Sequence, residues 1–200
     1  IEALLIGAFV GIVVGSLGAG GGILSVPILV YILGQDPHQA TGLSLIIVGL
    51  TAAVSLATRA RSGSVAWPEG TIFAFAGLAG TWAGAALTGF LTGFFGVGGG
   101  FAIVPALHLA LRYPMKRASA TSLLVMVITA AFGLASRTLS GTLTITAQAV
   151  AMVALFTGAS MVGGFVGARL TARVSNRVLG LVFAALLIIV AASTLAATLA

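Results

Sequence analysis

Acid–base, nucleophilic and metal chemistry have little to draw on in this sequence, which holds three carboxylates, two histidines and no cysteine in 200 residues. Glu2, Asp36 and Glu69 stand far apart at the ends of apolar runs, and no Ser/His/Asp set or metal-ligand spacing is formed. The sequence therefore points away from an enzyme and calls for no metal or cofactor. His108 lies inside an apolar run, where an ionisable group is a candidate proton relay by default. Glycine is abundant, at 28 residues, and two stretches concentrate it: GSLGAGGGILSVP, Gly15 to Pro27, and GFFGVGGGFAIVP, Gly93 to Pro105.

Where side chains are chemically poor, the backbone can bind. A helix must begin after each glycine cluster, near Ile23 and Phe101, and its first four NH groups have no helical partner. At membrane depth such donors are tolerated when they face protein or a wet cavity, and their partial positive charge suits an anion. Glycine lets the backbone itself reach the ligand. Gly18, Gly20, Gly21, Gly22, Ile23 and Pro27 thus form one half of a candidate anion site, and Gly96, Gly98, Gly99, Gly100, Phe101 and Pro105 the other. The two halves are expected to face each other near the membrane midplane. Hydroxyls near the next helix starts extend each half: Thr41 and Ser44 in the first, Ser119, Thr121 and Ser122 in the second. Arg59 and Arg137 are positioned to attract anions at the two mouths. A nucleotide loop does not fit, because no Walker lysine and no βαβ context accompany the glycines.

The elements that must hold these groups follow from composition. The chain is 60% hydrophobic and 6% charged, with mean hydropathy +1.23, against about 25% charged residues in a soluble domain. It reads as an all-α polytopic membrane protein, its apolar runs being helix-length and without the alternation of an outer-membrane strand. These runs cover about 3–33, 40–58, 70–89, 90–111, 118–136, 145–168 and 178–199. Pro37, Pro68 and Pro114 fall in the gaps, near helix starts, where proline is tolerated. The net charge of +6 comes from nine Lys and Arg set singly or in small groups between the runs. That pattern reflects membrane orientation and implies no nucleic acid. Since Ile1 opens the chain with no basic region before the first run, the true N-terminus is expected to lie further upstream.

An offset of 78 residues superimposes Gly18 on Gly96, Gly20 to Gly22 on Gly98 to Gly100, Pro27 on Pro105, Ser44 on Ser122, Arg59 on Arg137 and Ser62-Gly63 on Ser140-Gly141. Two copies of one unit result, 1–89 and 90–200. The second copy ends in an additional apolar run, 178–199, that the first lacks. A segment comprising one helix, a linker and the start of the next is therefore expected to be missing between Gly89 and Phe90.

The first run is too long for a single crossing: about 33 residues make roughly 50 Å of helix, against a hydrocarbon core of about 30 Å. It must break at Gly18 to Gly22, either as a re-entrant hairpin or as a kinked crossing helix. Basic residues differ in corresponding gaps of the two copies: none near Asp36, but Arg112, Lys116 and Arg117 at the matching place. Opposite orientation, and hence two inverted repeats, each a glycine-broken hairpin plus about three transmembrane helices, follows from the positive-inside rule. A parallel arrangement with four crossings per copy is the alternative.

Taken together, the two G-x-G-G-G clusters each followed by a proline, the ATGLS and ASATS helix starts, and the RARSGSVAW turn resemble the TauE/SafE family of sulfite exporters. The resemblance implies a multi-pass protein of the bacterial inner membrane that transports sulfur-containing anions such as sulfite, sulfoacetate and other organosulfonates. It also implies about eight hydrophobic segments with a cytoplasmic linker between the halves. The expected function is a secondary transporter for such anions, in the export direction, with the lipid bilayer as its surroundings and homo-oligomerisation left open. The alternatives are an anion channel or an uptake permease for another oxyanion or carboxylate.

Overall fold

The computed structural model describes residues 2–18, 25–26, 28–32, 34, 36–83, 100–109, 112–141 and 147–199. Gly20, Gly21, Gly22, Ile23 and Pro27 of the first glycine cluster and Gly96, Gly98 and Gly99 of the second lie outside them, as does the Gly89–Phe90 junction.

Every regular element among the described residues is helical: α1 Glu2–Leu17, a π-helical turn Ile28–Ile32, α2 Pro37–Ala60, α3 Trp67–Ala83, α4 Gly100–Leu109, α5 Met115–Leu139, α6 Ala147–Arg173 and α7 Asn176–Leu199. Within these, Gln39–Ala60, Met115–Leu139 and Val153–Arg173 are long and apolar enough to cross a membrane. The prolines punctuate as expected. Pro37 opens α2, Pro68 is the second residue of α3, and Pro114 caps α5, positions where a missing NH costs no helical bond. Gly63 and Gly141 end the turns after α2 and α5 with φ of +66° and +65°, a conformation that costs glycine little.

Small residues bring α1 and α6 together at backbone distance. Along α1, Gly7, Gly11 and Gly15 lie against the carbonyls of Phe156, Ser160 and Gly164, and along α6, Gly163 and Gly167 lie against those of Ala8 and Ile12. A Cβ at Gly7 would stand 2.8 Å from the Phe156 oxygen, and one at Gly11 would fall on the Ser160 carbonyl. The spacing of four puts all three α1 glycines on one face, the geometry by which membrane helices pack without a large apolar driving force. Both series ascend together, so α1 and α6 run parallel. Ser160 Oγ seals the contact by donating to the Gly7 carbonyl at 2.8 Å.

α2 and α5 cross the other way. Arg59 at the end of α2 bonds Ser119 at the start of α5, and Arg137 at the end of α5 bonds Thr41 at the start of α2. Between these ends Gly133 faces Leu45 and Gly49 faces Ala130, as antiparallel pairing requires. The ends of α1, α2 and α6 therefore gather where α5 begins. Since α1 and α2 both finish there, Leu17 and Pro37 lie toward opposite ends of the bundle.

One end of the molecule is strongly basic in consequence. It carries Arg59 and Arg61 after α2, Arg112, Lys116 and Arg117 around the start of α5, and Arg169, Arg173 and Arg177 around the α6–α7 turn; Lys116 Nζ reaches the Ala172 carbonyl at 3.1 Å. Arg137 is the single basic residue toward the opposite end. The larger apolar core joins Val10 and Val14 of α1, Leu43 and Ile47 of α2, Leu123 and Met126 of α5, and Phe156 of α6, with Leu29 from the π-helical turn. A second cluster seats α4 and α7 on α5 through Val104, Leu107, Met115, Leu179 and Phe183.

Candidate functional site

Gly18, the first residue of the glycine break, sits in the left-handed region at φ +64°. Its NH still closes α1 by donating to the Val14 carbonyl at 2.8 Å, and its own carbonyl accepts from Ser122 Oγ at 2.6 Å. A Cβ here would collide with the Ser119 carbonyl, so glycine is required twice, by conformation and by space. The break is thus docked on the start of α5.

Arg59 lies at the same place and is only 5% exposed. Its Nη1 donates to Ser119 Oγ at 2.6 Å; its Nη2 donates to the Gly15 carbonyl at 2.6 Å, the Ser16 carbonyl at 2.8 Å and Thr171 Oγ1 at 2.9 Å. Thr171 Oγ1 in turn bonds the Ser16 and Gly167 carbonyls. One guanidinium therefore ties together the ends of α1, α2 and α6 and the start of α5, and every oxygen it touches is neutral. A buried cation is costly unless hydrogen bonds or a counter-charge meet it. Here bonds are supplied and a counter-charge is not, while Nε, also buried, has no partner among the described residues.

The hydroxyl residues expected at the site divide into separate groups. Ser119 and Ser122 join Gly18 and Arg59. Thr121 turns to the opposite face of α5, where its Oγ1 accepts from the Ala66 NH at 3.1 Å and its methyl group faces Gly70 of α3. Thr41 accepts from Arg137 Nη2 at 2.9 Å at the far end of the bundle, and Ser44 Oγ donates to the Thr41 carbonyl one turn back, its single partner among the described residues. Antiparallel pairing puts Ser122 level with Leu56 of α2, so Ser44 and Ser122 stand about 18 Å apart along the axis at 1.5 Å per residue. The equivalent serines do not meet, and Gly18 lies toward the basic end of the bundle rather than at its middle. In the second half, Gly100 is the first residue of α4 and Pro105 lies half-buried inside it.

Several groups escaped the reading of the sequence. Ser25 is fully buried just beyond the first cluster, and its hydroxyl has no partner among the described residues. The residue at offset 78 is the apolar Ile103, so the 78-residue match carried no signal for it. Thr51 on α2 and Thr157 on α6 are likewise buried with unpartnered hydroxyls. His108 is exposed at the end of α4, where Nδ1 bonds the Tyr113 carbonyl at 2.6 Å and so acts as a donor that ties the α4–α5 turn. Tyr113 donates its hydroxyl to Glu69 at 2.9 Å, and that bond pushes the phenol above its ordinary pKa.

Membrane-length apolar helices, backbone-close helix packing through glycine, and a buried arginine at a glycine break together define a polytopic helical membrane protein. The chain belongs to the TauE/SafE sulfite exporter family, whose model matches residues 3–88 and 83–194; it is a family of membrane transporters. A probable membrane transporter protein of Xylella fastidiosa is 31% identical, covering 92% of this chain and 92% of its own length. Probable membrane transporter protein YunE of Bacillus subtilis is 32% identical over 52% of this chain and 36% of its own. The Methanocaldococcus jannaschii protein MJ0441, also named a probable membrane transporter, is 52% identical over 25% of this chain and 18% of its own. No solved structure matches.

Proposed function

We propose that this protein is a secondary transporter, not an enzyme, that moves small sulfur-containing anions, sulfite or organosulfonates, outward across the bacterial inner membrane. The observation that carries the anionic preference is Arg59: a buried positive charge met, among the described residues, by neutral oxygens, at the point where α1 breaks into the glycine cluster. An entering anion would find positive potential there; the backbone donors that this reading assigns to the anion are those of Gly20 to Gly22 and Ile23, and of Gly98 to Gly100 and Phe101 from the other half. The family supplies the sulfur chemistry. Export needs little machinery, since a monoanion leaving a negative interior gains about 2.3 kcal/mol per 100 mV.

Two inverted repeats, 1–89 and 90–200, are the architecture we attach to this reading. Three features support it: α2 and α5 begin 78 residues apart, at Pro37 and Met115; they pack antiparallel; and their terminal arginines bond each other's opening hydroxyl residues. Antiparallel equivalents imply a pseudo-twofold axis in the membrane plane. The basic end then faces the cytoplasm. A segment between Gly89 and Phe90 that relatives carry is supported by the two family matches meeting at 83–88, and by an alignment of 244 positions to the Xylella protein, longer than this 200-residue chain.

Proteoliposomes carrying the protein test the function. Sulfite and sulfoacetate flux should saturate with concentration and respond to membrane potential, and Gly21→Val and Gly99→Val should abolish it in protein that still folds. Flux that persists in both variants sinks the backbone site; throughput far above about a thousand ions per second indicates a channel.

A further inference from the structure

Beyond the substrate site, the flank of the basic end carries a second concentration of positive charge. α2 and α6 pack side by side and run parallel, and toward the basic end their seam forms an open groove. Near the basic end it opens into a cavity of about 490 Å³ lined by Val54, Thr58 and Arg61 of α2 and by Phe165 and Arg169 of α6. A neighbouring cavity of about 560 Å³ shares Thr58, Phe165 and Arg169 with it, meets Arg59 on its inner side and reaches Arg173.

Along both helices the same sequence of chemistry repeats. On α2, exposed Leu50 and half-exposed Val54 are followed by Thr58 and then Arg61 on one face. On α6, exposed Val162, Phe165 and Val166 are followed by Arg169 and Arg173. Each stripe passes from bare hydrocarbon to guanidinium within about three turns, roughly 16 Å. Arg169 folds back over the Phe165 ring, 4.3 Å from its centroid, which holds the charge above the apolar floor. All three arginines are exposed, and among the described residues none has a hydrogen bond or ion pair. The carboxylates are elsewhere: Glu69 is bonded to Tyr113, and Glu2 and Asp36 lie toward the other end.

We infer that this groove is a binding site for an anionic phospholipid of the inner leaflet, its phosphodiester held by Arg61, Arg169 and Arg173 and its acyl chains laid along the α2 and α6 stripes. A soluble anion would use the arginines and leave the apolar stripes bare, whereas a phospholipid matches both in the observed order. Basic recesses between membrane helices on the cytoplasmic side suit such headgroups. The site is one-sided. At the corresponding positions of α5, offset by 78, Val54, Thr58 and Arg61 become Phe132, Ser136 and Leu139, with Leu139 89% exposed; the guanidinium that defines the α2 stripe has no equivalent at the opposite end. An anionic-lipid site belongs where the leaflet is negative, and the groove lies at the end that the basic residues assign to the cytoplasm.

The test uses the full chain purified in mild detergent, with dioleoyl phosphatidylglycerol as probe, read by native mass spectrometry and thermal shift. Phosphatidylglycerol should remain bound and raise the melting temperature, and dioleoyl phosphatidylcholine and inorganic phosphate should not reproduce it. Arg61→Gln, Arg169→Gln and Arg173→Gln should each weaken retention about fivefold, whereas Arg112→Gln and Arg177→Gln, at the same end but outside the groove, should leave it unchanged. These substitutions are on exposed side chains, so folded protein is expected from each. Equal stabilisation by inorganic phosphate would make it a soluble-anion site, and equal retention of phosphatidylcholine a generic apolar surface. Either result, or equal losses in all five variants, overturns the proposal, and none of them bears on flux through the glycine site.

Discussion

Arg59 donates to Ser119 across the bundle at 2.6 Å, and 78 residues along the chain the partners exchange roles: Arg137 donates to Thr41 at 2.9 Å. One bond joins the end of α2 to the start of α5, the other the end of α5 to the start of α2. The environments differ, since Arg59 is buried with further carbonyl and hydroxyl partners while Arg137 is half-buried. Arg59 is the more deeply buried of the two. Arg59→Met should cost about 3 kcal/mol, because several buried carbonyl and hydroxyl oxygens lose a charged donor at once. Arg137→Met should cost about 1 kcal/mol. Chemical unfolding in detergent measures both, and equal losses would show that the two fastenings are equivalent.

The α1–α6 seam depends on glycine because carbonyls occupy the space a side chain would need. Gly11→Val and Gly163→Leu should each destabilise by about 3 kcal/mol or more, since the helices must separate to admit the added atoms. At Gly158 the space a methyl group would take is open, with no atom within 4 Å. Gly158→Ala should be neutral or gain up to about 1 kcal/mol from helix propensity. Thermal melts of the three variants check this, and similar melting of all three would argue against a backbone-close seam.

Ser122 and Ser44 are equivalent in sequence and unequal in the structure. Ser122→Ala leaves the Gly18 carbonyl without its side-chain donor inside a buried junction, at an expected cost of about 1–2 kcal/mol. Ser44→Ala removes only a bond to its own helix and should cost less than about 0.5 kcal/mol. Sulfite flux should follow the same order, with Ser122→Ala the more impaired. The reverse order would detach Ser122 from the functional break.

Orientation can be read directly because the chain has no cysteine. Ser62→Cys and Asn176→Cys at the basic end should resist a membrane-impermeant maleimide added outside cells, and Ser140→Cys at the other end should react. Labelling of all three from outside would contradict the inverted arrangement.

Composition settled the membrane environment, because so apolar a chain has no other stable solvent, and proline placement marked the starts of α2, α3 and α5 because proline fits where no helical NH bond is lost. Glycine and arginine positions produced the 78-residue match for a similar local reason: backbone conformation and charge leave marks at single residues. Partnership left none. That Ser122 reaches Gly18 while Ser44 stays within its own helix, that Thr121 turns toward Ala66, and that Arg59 is a buried tie rather than an open mouth all depend on which helix packs against which face. Ser25 and Thr51 look like ordinary small polar residues until burial leaves their hydroxyls without a partner among the described residues. A one-dimensional pattern states which groups recur and what each can do; the antiparallel crossing of α2 and α5, and the parallel seam of α1 with α6, decide which of them meet.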